Sequence, residues 1–326
     1  MTPMMDAARI DRLLAGEALT AAEALAVAIL PETDFAAWLE VADLLRRRFA
    51  GPAVSLCAIV NAKSGGCDQD CSFCAQSGRY ETSSPEYAFL DPETIRETAL
   101  RAKAGGARHF SLVTSGRGLT QAEVDDAVRG VETIAAVGLI PCASLGVLEQ
   151  EALAALRAAG LVRYHHNLET ARDFYPQVCS TRTYDDNVAV LTAARRVGLE
   201  VCAGCLFGLG ESWQHRVDLL LDLRRLGVDS VPINFLIPIP GTPLAGRPRL
   251  SPVECLRILV VARLMLPRQE IRICGGRENL GDLEADMFRA GASGLMIGDL
   301  LTVKGPSADR DRQLLAALGL PVVEPL

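Results

Sequence analysis

What the sequence lacks narrows its class at once. In 326 residues there is no apolar run of the ~18 to 20 residues that a membrane span requires. The opening stretch carries no secretory signal pattern. Basic residues are the minority, 33 against 40 acidic, for a formal charge of −7. A nucleic-acid surface needs clustered Lys and Arg, so that class is set aside. No linker, low-complexity segment or close internal repeat interrupts the chain. At 49% hydrophobic and 22% charged residues, it has the apolar content to fold. Length alone, at about 150 residues per domain, predicts two domains, although barrel folds use such a length as one. A core of this size does not need disulfides. The ten cysteines are therefore expected in a reducing cytoplasm, where clusters of them serve metal or redox chemistry.

The first fifty residues read as helices. Residues 6–14 form a short amphipathic stretch, and Thr20 with Glu23 makes a capping box before the apolar run 24–30. Asp34 is expected to open a third helix ending in Arg46, Arg47 and Arg48, cations suited to a solvated last turn. From Val54 the pattern changes to β-rich runs alternating with helical stretches. The strand candidates are residues 54–61, 108–115, 139–145, 162–168, 200–207, 230–236, 270–274 and 294–297. Helix starts are signalled by Asp91-Pro92, Thr120 with Glu123, and Ser251-Pro252 with Glu254; glycines such as Gly105, Gly138 and Gly198 mark ends. Such alternation requires a mostly parallel sheet with covered faces. Eight units predict an α/β fold of the (β/α)8 TIM-type barrel, with chemistry on the loops after the strands. A doubly wound open sheet is the alternative. The expected organisation is a helical extension over 1–50 and one barrel over 51–326.

Directly after the first strand stand Cys67, Cys71 and Cys74, spaced x3 and x2, with Phe73 just before the last. Three thiols in one loop converge on one inorganic centre, yet fall one short of a closed zinc site. A [4Fe–4S] cluster on three cysteines leaves one iron open. S-adenosylmethionine (SAM) bound there through its amino and carboxylate groups is cleaved reductively to a 5′-deoxyadenosyl radical. CxxxCxxC in this place is the radical SAM signature. The rival reading is a structural zinc loop that borrows a distant fourth ligand.

Longer stretches carry a closer resemblance. Asn61 to Cys67, Cys74 to Ser77, Tyr164 to Thr170, Val201 to Glu211, Ser230 to Asn234, Gly241 to Leu244 and Ile271 to Glu278 resemble the biotin synthase family. The similarity spans nearly all of residues 50–320. It implies a barrel, SAM, a second cluster deep inside, and sulfur insertion converting dethiobiotin to biotin.

Strand geometry bears on that second cluster. Positions i and i+2 share a face, and alternate residues of a barrel strand point inward. Arg272 therefore shares a face with Cys274, and Cys202 with Gly204, while Cys205 falls on the opposite face unless a bulge intervenes. The family holds its interior cluster on three cysteines and one arginine, at places matching Ser111, Cys142, Cys202 and Arg272 here. Ser111 departs from that pattern, since a hydroxyl poorly replaces thiolate at iron. The expectation is an auxiliary cluster on Cys142, Cys202 and Cys274, completed by Cys179 or Arg272, with two irons ([2Fe–2S]) or four. Cys57 and Cys255 read as core or surface filler.

By the same resemblance Asn167 and Glu169 bind the SAM ribose hydroxyls. The segment Gly204 to Glu211, with Gly208 and Glu211 as binding residues, lies on its adenine side, and Asn234 pairs with the ureido group of dethiobiotin. His165 replaces an asparagine that touches that ring. Alternation places His165, Asn167 and Glu169 on one face. Lys63 and Gln76 flank the cluster loop and are assigned to local packing. The resemblance further implies a flavodoxin or ferredoxin electron donor, iron–sulfur assembly proteins as partners, and a homodimer. Two other readings are a related enzyme acting on another small substrate, in hydrogenase-cofactor maturation or amino-acid rearrangement, and a zinc-stabilised scaffold protein.

Overall fold

Helix starts in this chain are written in side-chain oxygens. In the computed structural model, which describes residues 6–302 and 305–324, Thr20 and Thr120 each accept from the backbone N–H three residues on, and Glu23 and Glu123 return the bond. Asp91 and Ser251 cap helices whose first residue is proline, a position where a missing N–H costs nothing. The opening helices are α1 (Ala7–Leu14), α2 (Ala21–Ala28) and α3 (Glu32–Phe49). The third begins two residues before Asp34, behind Pro31. Its arginine run is also not simply solvated. Arg46 is buried and donates to Asp43 at 2.8 and 3.0 Å, so only Arg47 and Arg48 behave as expected of a solvated turn.

The strands are β1 (Ser55–Lys63), β2 (His109–Thr114), β3 (Ile140–Ser144), β4 (Arg163–His165), β5 (Glu200–Cys202), β6 (Cys205–Phe207), β7 (Ser230–Phe235), β8 (Glu270–Ile273) and β9 (Gly294–Met296). All pair in parallel, in the order β5-β4-β3-β2-β1-β9-β8-β7-β6, and a β5–β7 pairing closes the ring. β5 and β6 are two halves of one barrel strand, so the closed barrel has eight positions, as the alternation predicted. The helices between them are α4 (Pro92–Ala104), α5 (Gln121–Val137), α6 (Gln150–Ala158), α7 (Tyr184–Arg196), α8 (Trp213–Arg225), α9 (Pro252–Met265) and α10 (Ala308–Ala317). Between β8 and β9 a 3₁₀ segment, Arg277–Met287, replaces a regular helix. The opening helices rest on the barrel's own layer, with α2 against α8 and α9 and α3 against α9. No helix of the described residues is long and apolar enough to cross a membrane.

Two expected strands differ in detail. The fourth ends at His165 instead of 168, and the fifth breaks at Ala203-Gly204. The break has a steric cause. A Cβ on Gly204 would stand 1.9 Å from the Pro232 carbonyl oxygen, so the chain passes β7 too closely for any other residue. The freed backbone of Gly204 is turned to use: its N–H donates to Asn167 Oδ1 at 3.2 Å, and its carbonyl accepts from Leu168 at 3.1 Å.

Candidate functional site

The loop after β1 is held before any cofactor enters. Cys67 N–H donates to the Gln76 carbonyl at 3.1 Å, and Gly78 N–H donates to the Cys67 carbonyl at 2.7 Å. Gln76 Oε1 accepts from Ser64 Oγ at 3.0 Å and Gly65 N–H at 3.3 Å, while Lys63 pairs with Glu123. Both flanking residues thus serve the loop's own structure, as expected. Asp70 ties the loop to the segment after β4, accepting from the N–H groups of Ser180 and Thr181 at 2.9 and 3.1 Å. Partial burial opposes its charge, but these bonds and those from the two hydroxyls hold its carboxyl well below the usual range.

Cys67, Cys71 and Cys74 line the mouth of a cavity of about 400 Å³ within the barrel. The same cavity is lined deeper by Cys142, Cys202, Cys274, Arg272 and Ser111. Burial pushes the Cys74 thiol up to about 11 and that of Cys142 up to about 12, and raises those of Cys202 and Cys274. Such thiols become thiolates when iron takes the proton's place. Among the described residues no three His, Cys, Asp or Glu side chains gather round one point as they would for a single metal ion. The thiols instead face a shared space, as ligands to different irons of one cluster do. Arg272, 5% exposed, leaves its Nε without a partner beside them. A buried donor of this kind fits an anionic sulfur centre. The residues present therefore fit iron–sulfur clusters at both levels of the cavity.

The barrel floor beneath is a charge network. Glu270 accepts from Arg272 at 2.6 Å and from Arg163 at 2.9 Å, and Arg163 also reaches Glu200. Burial disfavours the Glu270 carboxylate, yet the two guanidiniums hold it ionised far below the ordinary range. His109 stands there too, its pKa lowered to about 3 by burial and then by Arg163.

His165, Asn167 and Glu169 all reach the cavity wall. His165 Nδ1 lies 3.3 Å from Cys202 Sγ, and burial lowers its pKa to about 4, so the ring is neutral. Glu169 has φ of 66°, the one positive value at a non-glycine among the described residues; such backbone costs energy and concentrates at functional sites. Burial raises its carboxyl to about 7. Asn234 lines the cavity from β7, donating to the Cys205 carbonyl at 3.1 Å and accepting from Gly275 N–H at 2.8 Å. One amide N–H and one lone pair remain for a ligand.

Several expected roles change. Cys179 stands beside Cys71, and the interaction of the two thiols raises that of Cys71 and lowers that of Cys179. It belongs to the upper thiols and not to the auxiliary set, because the loop after β4 folds over the cluster loop through Asp70. Glu211 does not reach the cavity. Its carboxylate is consumed by Gly208 N–H, Gly210 N–H and Arg216, at 3.0, 3.0 and 2.7 Å. Gly208 packs against Leu236 and Leu250. Neither residue lines the cavity, and both shape the turn beside it. Cys255 is fully buried in the core, as filler should be, and Cys205 is buried there too, away from the cavity. Cavity residues that the sequence reading did not place there include Arg182 and Cys57, the latter read as filler. Arg182 lies on the wall near Cys71 and Glu169, in a loop that carries no local motif. Cys57 lines the cavity from β1, two residues before Ile59, which also faces it.

A parallel barrel with three thiols in its first loop and more thiols inside defines a radical SAM enzyme. Residues 62–223 match the Radical SAM superfamily, and residues 232–321 match the Biotin and Thiamin Synthesis associated domain. The biotin synthase of Geobacter sulfurreducens is 48% identical over 315 residues, covering 96% of each chain. That of Pelotomaculum thermopropionicum is 45% identical over 316 residues, 96% of this chain and 98% of its own. The chain belongs to the biotin synthase family. Its cofactors are accordingly a [4Fe–4S] cluster, SAM and an auxiliary iron–sulfur cluster. Among solved structures, methylornithine synthase superposes with a TM-score of 0.83 over 97% of both chains at 21% identity, a likeness of fold.

Proposed function

We propose that the cavity joins its two thiol sets in one reaction, the insertion of sulfur into dethiobiotin to give biotin. The observation that carries this reading is that Cys67, Cys71 and Cys74 line the same cavity as Cys142, Cys202 and Cys274, with His165 and Asn234 on its walls. When bound, the upper cluster with SAM supplies a 5′-deoxyadenosyl radical, and the lower cluster supplies sulfide. The protein's residues bind, orient and exclude water.

Cys67, Cys71 and Cys74 hold the [4Fe–4S] cluster. Glu169 and Asn167 take the SAM ribose diol, a carboxylate and an amide being suited to accept from its hydroxyls. The Arg182 guanidinium, on the same wall, takes the SAM carboxylate. Cys142, Cys202 and Cys274 hold the lower cluster, and Arg272 lies against it. Asn234, with one donor and one acceptor unspent, pairs with the ureido group of dethiobiotin, and the neutral His165 gives that group a second directed contact. The half-buried positions of both, between polar floor and open mouth, support this placement.

Electrons come from a flavodoxin or ferredoxin, and iron–sulfur assembly proteins load the clusters. The enzyme works as a homodimer in the cytoplasm. Residues 1–50 form a helical extension and 51–326 the catalytic barrel; the outermost residues of both spans, 1–5 and 325–326, lie outside those described. The test is turnover of SAM by anaerobically reconstituted protein with and without dethiobiotin. Biotin formed only with dethiobiotin, SAM and reductant is expected. SAM cleavage without any dethiobiotin-dependent biotin overturns the substrate assignment.

A further inference from the structure

The interior thiols number one more than the ligand set assigned above. Cys57 sits mid-strand in β1, and its thiol lines the cavity together with Cys142, Cys202 and Cys274. The register explains why. Cys57 pairs with Met296 of β9, and β8 pairs with β9 through Ile273 and Leu295. Cys274, one residue beyond Ile273, therefore stands at the level of Met296, and so of Cys57 on the far side of β9. On the far side Ser111 pairs with Cys142. Cys202, from β5, lies close enough to both Cys57 and Cys274 for their charges to interact. Arg272 lies close enough to Cys57 for its charge to act on the thiol.

Four thiols from β1, β3, β5 and the end of β8 thus ring one guanidinium. Arg272 commits its Nη2 to Glu270 at 2.6 Å and to Ser55 at 3.4 Å, and leaves a buried Nε free. That arrangement makes it a hydrogen-bond donor to a sulfur ligand and leaves the metal coordination to sulfur. Four cysteines are also the usual protein complement of an iron–sulfur cluster. Ser111, the hydroxyl in the ring, is then not required as a ligand, and Cys179, which stands beside Cys71 and does not line the cavity, is not one either.

We propose that Cys57 is a direct iron ligand of the auxiliary cluster, completing a set with Cys142, Cys202 and Cys274, and that Arg272 donates a hydrogen bond to this cluster instead of ligating it. The proposal rests on the two-cluster reading above and goes beyond it in naming the fourth ligand.

The test uses protein carrying Cys67→Ala, Cys71→Ala and Cys74→Ala, so that all iron it holds belongs to the lower site. Iron, acid-labile sulfide and the Mössbauer spectrum are compared in this background with Cys57→Ala, Cys57→Ser, Ser111→Ala and Cys179→Ala. Loss of most of the iron in Cys57→Ala is expected, with Ser111→Ala and Cys179→Ala unchanged. The near-isosteric Cys57→Ser, chosen because it preserves packing, is expected to alter the isomer shift of one iron site through its oxygen ligand, or to lose that iron. Full iron and an unchanged spectrum in both Cys57 variants overturn the proposal. A background that holds no iron at all overturns the two-cluster reading itself, which separates the two failures.

Discussion

His165 Nδ1 approaches Cys202 Sγ to 3.3 Å across the β4–β5 pairing, in which the two residues are register partners. The half-buried ring is neutral, and toward a Cys202 thiolate, which can only accept, it is the Nδ1–H tautomer that donates to sulfur. A hydrogen bond to a cluster thiolate removes electron density and eases reduction. His165→Leu is therefore expected to shift the auxiliary cluster to a more negative potential and to raise KM for dethiobiotin. His165→Asn, which keeps a donor of similar reach, restores part of both. A redox titration of the background lacking the upper cluster checks the first effect, and steady-state kinetics on the complete enzyme checks the second.

Glu270 is the hinge of the barrel floor, bonded to both Arg163 and Arg272. Neutralising one member of a buried ion network leaves uncompensated charge, at a cost of about 3–5 kcal/mol. Glu270→Gln keeps the shape and removes the charge. Anaerobic denaturant titration is expected to show a loss of that order. The auxiliary cluster's spectrum should change as Arg272 loses its anchor, while the upper cluster's SAM-dependent signal stays. A variant as stable as the parent would mean that the two arginines are satisfied by other partners.

Asp70 joins the cluster loop to Ser180 and Thr181, whose N–H groups it accepts at 2.9 and 3.1 Å. Asp70→Ala leaves these donors without their acceptor, costing about 1–3 kcal/mol where they are kept from water. The upper cluster is the expected casualty: lower iron content and faster loss to a chelator, with the lower cluster intact. Asp70→Asn, retaining one acceptor, falls between. Chelator-release kinetics followed by absorbance distinguish the three proteins.

Much of this was legible in the residues, for physical reasons. Capping oxygens at Thr20, Asp91, Thr120 and Ser251 mark helix starts locally, so the alternation behind the barrel could be read without tertiary knowledge. The three-cysteine loop is a contiguous motif and equally local. What was not legible depends on which way a side chain leaves the backbone. Cys57 looks like any small strand residue until the fold places it at the cavity. Cys179 was placed by chain position, but the Asp70 clamp folds its loop onto Cys71. Glu211 carries a carboxylate in the right segment, yet two backbone N–H groups and Arg216 absorb it. Resemblance transfers a position; it does not transfer the direction of a side chain or its partners.

Glu169 brings together strain, burial and function, and they make opposite demands. Its φ of 66° lies in the left-handed region, a strain of order 1–3 kcal/mol. Its carboxyl is raised to about 7 by burial. A carboxyl raised on folding contributes stability fully below its unfolded value of 4.5, and that contribution is lost as pH rises through about 7. Without ligand, the parent should therefore weaken between about pH 4.5 and 7 by an amount on the order of 3 kcal/mol from this group. Glu169→Gln is expected to flatten that slope, and Glu169→Gly to relieve the backbone strain as well. Both should bind SAM at least about tenfold more weakly, the loss of roughly one charged hydrogen bond. Denaturation midpoints across pH, set beside SAM affinity measured calorimetrically, decide the matter. If the variants gain stability above neutral pH while losing SAM, the residue is held in a costly conformation for the sake of the cofactor. If they lose stability together with SAM, the carboxylate is instead a structural brace and the ribose contact belongs to Asn167 alone.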